Sequence, residues 1–204
     1  MADFWAKLMS NDENTAAHYM ETYGEGIGSD TRMILGSFIN DKETVLDVGC
    51  GPGWNYAHFM KYGPNVRNYK GLDYSPMFVK VAKERNPEAD YQLGDCRKLE
   101  EADKSWDVVI LQDVLEHTNG FEKPVLEALR VAKKRIIITF WHLKDMDDPH
   151  INDDGDDGWG AWYDKREWEK FLDTLDYHWL MTETPPTANR QHLFYILDKK
   201  EPHG

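Results

Sequence analysis

The stretch Val45-Leu46-Asp47-Val48-Gly49-Cys50-Gly51-Pro52-Gly53-Trp54 decides how this chain is read. An apolar, β-branched run carries one acid and then breaks into glycines at positions 49, 51 and 53. Such a run is what a parallel strand buried on both faces looks like, and the glycines mark a tight turn opening a helix. Glycine takes positive φ freely and lets a ligand approach where a Cβ would stand in the way. Taken alone, the turn also fits a plain strand-to-helix connection in any α/β protein.

Working outward, Asn68-Tyr69-Lys70-Gly71-Leu72-Asp73 reads as the next strand, with Asp73 at its carboxyl end. In a βαβ unit an acid about 20 residues past the glycines accepts hydrogen bonds from ribose hydroxyls. The interval here holds one helix, Trp54 to Lys61, and one strand, so Asp47 and Asp73 belong to one nucleoside pocket above the sheet. The glycine motif and Asp73 resemble the first two cofactor motifs of the class I, Rossmann-like S-adenosylmethionine-dependent methyltransferases. The dehydrogenase pattern Gly-x-Gly-x-x-Gly does not fit, because the third glycine comes two residues after the second. Tyr91-Gln92-Leu93-Gly94-Asp95-Cys96 is similar to that family's loop after the third strand, which meets adenine. Trp106-Asp107-Val108-Val109-Ile110-Leu111-Gln112-Asp113 resembles its fourth strand, which ends where the methyl group is transferred. The resemblance covers roughly residues 30 to 200.

The resemblance implies S-adenosyl-L-methionine as cofactor. Its amino acid end would lie along the first turn, beside Asp47, Gly49, Gly51 and Gly53, and its ribose on Asp73. Tyr74 and Met77 would pack against adenine, Asp95 would accept from the exocyclic amine beside Cys96, and Gln112 would close the fourth strand.

At 204 residues the chain is expected to be one domain with a core of its own. Cys50 and Cys96 are the only cysteines, which points to a reduced compartment without a disulfide framework. No apolar run is long enough to span a bilayer, and the first residues lack a basic, apolar signal pattern, so a soluble, cytoplasmic protein is expected. The net charge of −13, from 24 basic and 37 acidic side chains, disfavours a general nucleic-acid partner, whose phosphates need clustered Lys and Arg.

Residues 1 to 40 read as a broken helical cap, with one-face spacing at Phe4, Trp5, Leu8 and Met9 and again at Ala16, Tyr19, Met20 and Tyr23. Three glycines then interrupt, and Asp30 is expected to cap a helix from Thr31 to Phe38. Tyr19, Tyr23 and Arg32 are candidates to contact the cofactor's carboxylate or the acceptor, or simply to pack. Strands are predicted at about 44–49, 68–73, 90–93 and 106–111, with a fifth at Arg135–Trp141. Helices are predicted from Ser75-Pro76, from Pro124 to Lys133 and from Lys165 to Leu175, and strands at Tyr177–Glu183 and His192–Asp198. The fold expected is α/β: a seven-stranded, mostly parallel sheet with helices on both faces and a C-terminal antiparallel hairpin, the Rossmann-like methyltransferase fold. Between Asp145 and Asp157 seven aspartates crowd together, followed by Trp159, Trp162 and Tyr163. Residues 142–163 are read as an acidic, aromatic lid, against a solvated loop; an Asp153-to-Asp164 calcium loop departs from its pattern at both Gly155 and Asp164.

The chemistry centres on Asp113-Val114-Leu115-Glu116-His117. If a helical turn begins there, 113, 116 and 117 share a face. With His142 past the fifth strand they make a divalent-metal site for Mg²⁺ or Mn²⁺, similar to the acid-x-x-Glu-His motif of ubiquinone-biosynthesis O-methyltransferases and small-RNA 2′-O-methyltransferases. The alternative is a metal-free site in which His117 is a general base, with Glu116 and Asp113 beside it. The activity expected is methyl transfer to oxygen or nitrogen of a small-molecule acceptor. A metal-dependent RNA 2′-O-methyltransferase and a catalytically silent cofactor-binding partner are the rivals; oligomeric state is left open.

Overall fold

The computed structural model describes residues 19–21, 28–141, 143–147, 150–152, 160–185 and 191–200. Strands β1 (Thr44–Val48), β2 (Asn68–Asp73), β3 (Asp90–Leu93), β4 (Trp106–Gln112) and β5 (Ala132–Phe140) run parallel. Two short strands, β6 (Leu143–Lys144) and β7 (His150–Asn152), precede β8 (Gly160–Asp164), and β9 (Tyr177–Glu183) and β10 (Leu193–Lys199) form the closing antiparallel hairpin. The main sheet has seven strands in the order β3-β2-β1-β4-β5-β10-β9, as expected for the Rossmann-like methyltransferase fold. Strand order reverses between β1 and β4, and ligands of open α/β sheets bind in the crevice outside the strand ends at such a switch point.

β1 is buried along its whole length because both its faces are covered. Leu46 and Val48 join Val109, Leu111, Ile136 and Ile138 on one face; Val45 joins Val108, Ile110 and Ile137 on the other. Helices α1 (Ser29–Ser37), α2 (Trp54–Tyr62) and α3 (Pro76–Arg85) cover the second face through Leu35, Phe59 and Val79. On the first face lie α4 (Glu122–Val131), through Val125 and Ala128, and α5 (Lys165–Asp173), through Trp168 and Leu172. Each fully buried side chain of this size stabilises the fold by about 1.5–3 kcal/mol. Trp168 meets Phe121, Phe140 and Tyr195 edge-on at 5.2, 5.0 and 5.5 Å, an arrangement that aromatic quadrupoles favour.

Helix starts follow local chemistry. Ser75 caps α3 by accepting from Phe78 N (3.3 Å), with Pro76 in the first turn. α1 departs from expectation: it begins two residues early, behind Gly28 at φ 78, and Asp30 lies inside its first turn rather than at the cap. Within residues 142–163 the described residues include three strands. β6 and β7 flank β8 in a three-stranded sheet, and β8 packs beside the turn that follows β4. Asp164, the twelfth position of the calcium-loop reading, instead caps α5 and pairs with Arg166 at 2.8 Å; Asp153 lies outside the described residues.

Candidate active site

Every turn at one edge of the sheet contributes. The glycine turn follows β1, Asp73 ends β2, Asp95 follows β3, Gln112 ends β4, and the antiparallel β10 starts at this same edge. Asp73 organises the glycine turn: its Oδ2 accepts from Gly51 N and its Oδ1 from Ser75 N, both at 2.8 Å. Gly49, Gly51 and Gly53 all have positive φ, but for different reasons. A Cβ on Gly49 would stand 2.3 Å from Val114 Cγ2, and one on Gly53 2.6 Å from Tyr91 Oη, whereas at Gly51 it would meet nothing within 4 Å. The first and third glycines let the protein close on itself. The middle one opens onto free space.

Asp47 lies fully buried under α2, where its Oδ2 accepts from Tyr69 Oη (2.5 Å) and Asn55 Nδ2 (3.1 Å). Its Oδ1 and the Oε1 of Gln112 are buried acceptors with no partner among the described residues. Burial raises the Asp47 carboxyl from 3.8 to about 6, although Tyr69 and Asn55 pull it down. Asp73 is likewise raised to about 6 by burial, against the backbone N–H groups of Ser75, Gly51 and Tyr74.

On the side expected to meet adenine, Asp95 is gripped by Arg97, with Nε on Oδ1 at 2.9 Å and Nη2 on Oδ2 at 2.8 Å. Hydrogen bonds from Arg97 hold the Asp95 carboxyl below its usual range, and the guanidinium lies over the exposed Tyr74 ring at 5.9 Å. Met77 is buried against Phe78 and Tyr19, and burial pushes the half-buried Cys96 thiol up to about 12. Of the cap candidates, Tyr19 stacks on Trp54 at 5.8 Å and Arg32 lies over the same ring at 5.9 Å; Tyr23 lies outside the described residues. A groove of about 570 Å³ between α3 and β3 is lined by none of the candidate residues.

The turn after β4 is where the sequence reading needs correction. Only Leu115–His117 form a helical turn, of the 3₁₀ kind, and Asp113 has φ 54. The left-handed residue breaks the helical phase, so 113, 116 and 117 do not share a face. Asp113 accepts from Thr139 Oγ1 (2.6 Å) and meets His192 Nε2 at 3.0 Å. Burial would raise its carboxyl, but the hydrogen bond and charge of His192, with Thr139 and His117, hold it below the ordinary range. Glu116 is fully buried, its Oε1 accepting from Trp141 N (2.8 Å), and His117 is half-buried on the turn. Among the described residues no three His, Cys, Asp or Glu side chains come together to hold a metal ion; His142 lies outside them. Tyr163 of β8 fixes this turn, donating to Thr118 O (2.6 Å) and accepting from Gly120 N (3.1 Å). His192 was missed because nothing near it in sequence marks it: its partner Asp113 is 79 residues away.

Residues 46–140 match the family model described as a methyltransferase domain. A segment of 103 residues is 35% identical to the demethylmenaquinone methyltransferase of Renibacterium salmoninarum, covering 49% of this chain and 42% of that protein. Another of 97 residues is 34% identical to norajmaline N-methyltransferase of Rauvolfia serpentina, covering 44% and 32%. The chain thus spans less than half the length of these curated relatives. The solved magnesium protoporphyrin IX methyltransferase from Synechocystis, with bound S-adenosylmethionine, superposes with a TM-score of 0.70 at 16% identity, over 97% of this chain and 98% of that one. No described helix is long and apolar enough to cross a membrane.

Proposed function

We propose that the chain, whose residues 46–140 match the model of a methyltransferase domain, is a class I, S-adenosylmethionine-dependent methyltransferase acting on oxygen or nitrogen of a small molecule. One observation carries the reading: a carboxylate, Asp73, held by Gly51 N and Ser75 N beside a glycine whose missing Cβ opens onto free space. S-adenosylmethionine fits this set of acceptors, because its ammonium, ribose hydroxyls and adenine amine are all donors. The residues that would receive them are acceptors: Asp73, and the unpartnered oxygens of Asp47 and Gln112. Asp73 would hold the ribose, Gly51 would admit the amino acid end that Gly49 was also expected to admit, and Tyr74, Asp95 and Cys96 would flank adenine. Met77, buried against Phe78, supports that wall from behind.

When bound, the cofactor supplies an electrophilic methyl group. The chain's own task is to hold the acceptor in line and take its proton. His117, half-buried on the turn where β4 ends, is the proton acceptor in this reading, with Asp113 held by Thr139 and His192 and Glu116 by Trp141 N beside it. The metal-assisted alternative would need Asp113 and Glu116 to leave those partners and join His117 and His142. The segment 142–163, anchored by β6 and β8 beside the turn, is read as a cover over the acceptor side. Relatives named for demethylmenaquinone and norajmaline support a small-molecule acceptor, and a cytoplasmic location suits the two free cysteines.

The test is calorimetric titration with S-adenosylhomocysteine, followed by transfer of labelled methyl from S-adenosylmethionine to panels of quinols, phenols and amines. Transfer should persist in chelator and be lost in His117→Ala. No binding of S-adenosylhomocysteine by the folded protein would overturn the reading.

A further inference from the structure

Side chains from four distant parts of the chain meet at the acceptor end of the sheet in one hydrogen-bonded series. Asp113 Oδ1 accepts from Thr139 Oγ1, and its Oδ2 faces His192 Nε2 at 3.0 Å. A carboxylate can only accept, so Nε2 carries the proton. The other ring nitrogen, Nδ1, lies 3.2 Å from Thr31 Oγ1, and in the neutral ring it accepts that hydroxyl's proton. The backbone N of His192 donates to Thr184 Oγ1 at 2.9 Å, which sets the ring's position at the mouth of the hairpin. Thr31, Thr139 and His192 are all buried, at 2%, 0% and 2% exposure. With the ring neutral, the side-chain donors of Thr31, His192 and Thr139 all point towards Asp113. In so dry a place an unmade bond is costly, which makes the series cooperative.

Its two ends belong to α1 and to the turn after β4. Thr31 is in the first turn of α1, beside Arg32, whose guanidinium covers Trp54 directly after the glycine turn. Asp113 is the first residue after β4, on the turn that carries His117. We propose that His192 is a positioning residue, fastening α1 and the Arg32 wall of the cofactor crevice to Asp113 at the acceptor end. Cofactor and acceptor sides are then mechanically joined through one imidazole. The cofactor half of this statement rests on the methyltransferase reading; the fastening itself does not.

The experiment compares the full chain with Thr31→Val, His192→Phe and the double variant. Hydrogen exchange is followed in the cofactor-free proteins, and S-adenosylhomocysteine is titrated by calorimetry. Each single variant should raise exchange across residues 29–37 while β1 and β4 keep their protection, and each should weaken S-adenosylhomocysteine about tenfold. The double variant should be no worse than His192→Phe, because either change breaks the same series. Unchanged exchange at 29–37, protection lost evenly over the sheet, or losses that multiply in the double variant would overturn the proposal. Should His192→Phe fail to fold, Thr31→Val removes one hydroxyl and reads the same two quantities. If the unmodified protein does not bind S-adenosylhomocysteine, the methyltransferase reading falls, and exchange at 29–37 still decides the fastening.

Discussion

Asp73 and Asp47 show how two acids near one turn divide their work. Asp73 ties the glycine turn to β2 and retains lone pairs for a ligand; Asp47 is fully buried, with Oδ2 held by Tyr69 and Asn55 and Oδ1 left unpartnered among the described residues. Asp73→Ala should leave a folded chain whose S-adenosylhomocysteine affinity drops by at least tenfold. Each charge-assisted bond lost is worth about 1.5–3 kcal/mol, and calorimetry reads the change. Asp47 makes the opposite point, about stability. Its carboxyl is raised to about 6, so the folded chain keeps that proton to higher pH than the unfolded chain does. Such a group favours folding below the unfolded value, and the contribution is withdrawn as pH climbs through about 6. Asp47→Asn, which still accepts from Tyr69 and Asn55, should therefore gain on the wild type between pH 5 and 7.5. A shift of about two units is worth about 2–3 kcal/mol in all, of which about 1.4 kcal/mol, the last unit up to about 6, falls between pH 5 and 7.5; the burial cost of the new amide is the same at both. Urea midpoints at the two pH values measure it; equal differences at both would show that no charge is being relieved.

Elements decide which glycine does what. Gly49→Ala and Gly53→Ala combine a left-handed φ with Cβ contacts of 2.3 and 2.6 Å, so each should cost about 2–4 kcal/mol in denaturant unfolding. Gly51→Ala should cost only about 1 kcal/mol and instead lose S-adenosylhomocysteine, because its Cβ enters open space. Tyr163→Phe should lower stability by about 1–3 kcal/mol and raise exchange in the 115–120 turn, since Gly120 N and Thr118 O lose their partner. The elements themselves were largely legible in the sequence. The apolar run of β1, the Ser75-Pro76 start of α3 and the hairpin strands all carry local signals that packing does not contradict. What was not legible depends on contacts between distant segments. Asp113 is left-handed because Thr139 and His192 hold its carboxylate, and neither is near it in sequence. The helical spacing that suggested a metal cluster at 113, 116 and 117 therefore fails. β6 and β7 are too short to announce themselves beside so many aspartates, and they form only because β8 stands between them.

At the scale of the whole molecule, the crevice lies where the two halves of the sheet diverge, and it is framed by turns after β1, β2 and β4. A ligand that touches all three binds only the folded chain, so its binding free energy adds to stability. S-adenosylhomocysteine at about 100 times its Kd should contribute about 2.7 kcal/mol. For a chain of this length that corresponds to a rise in Tm of about 5–11 °C. Polyanions should behave differently. With a net charge of −13 the chain as a whole repels phosphates. A short single-stranded RNA should therefore leave Tm unchanged even at low salt, where phosphate contacts are strongest. The comparison separates the two classes of acceptor in one scan. A shift with S-adenosylhomocysteine that disappears in Asp73→Ala, with none from RNA, is the result expected of a small-molecule methyltransferase. A salt-sensitive shift from RNA alone would place phosphate recognition on a surface whose charge argues against it, and would put the rival 2′-O-methyl reading ahead of the small-molecule one.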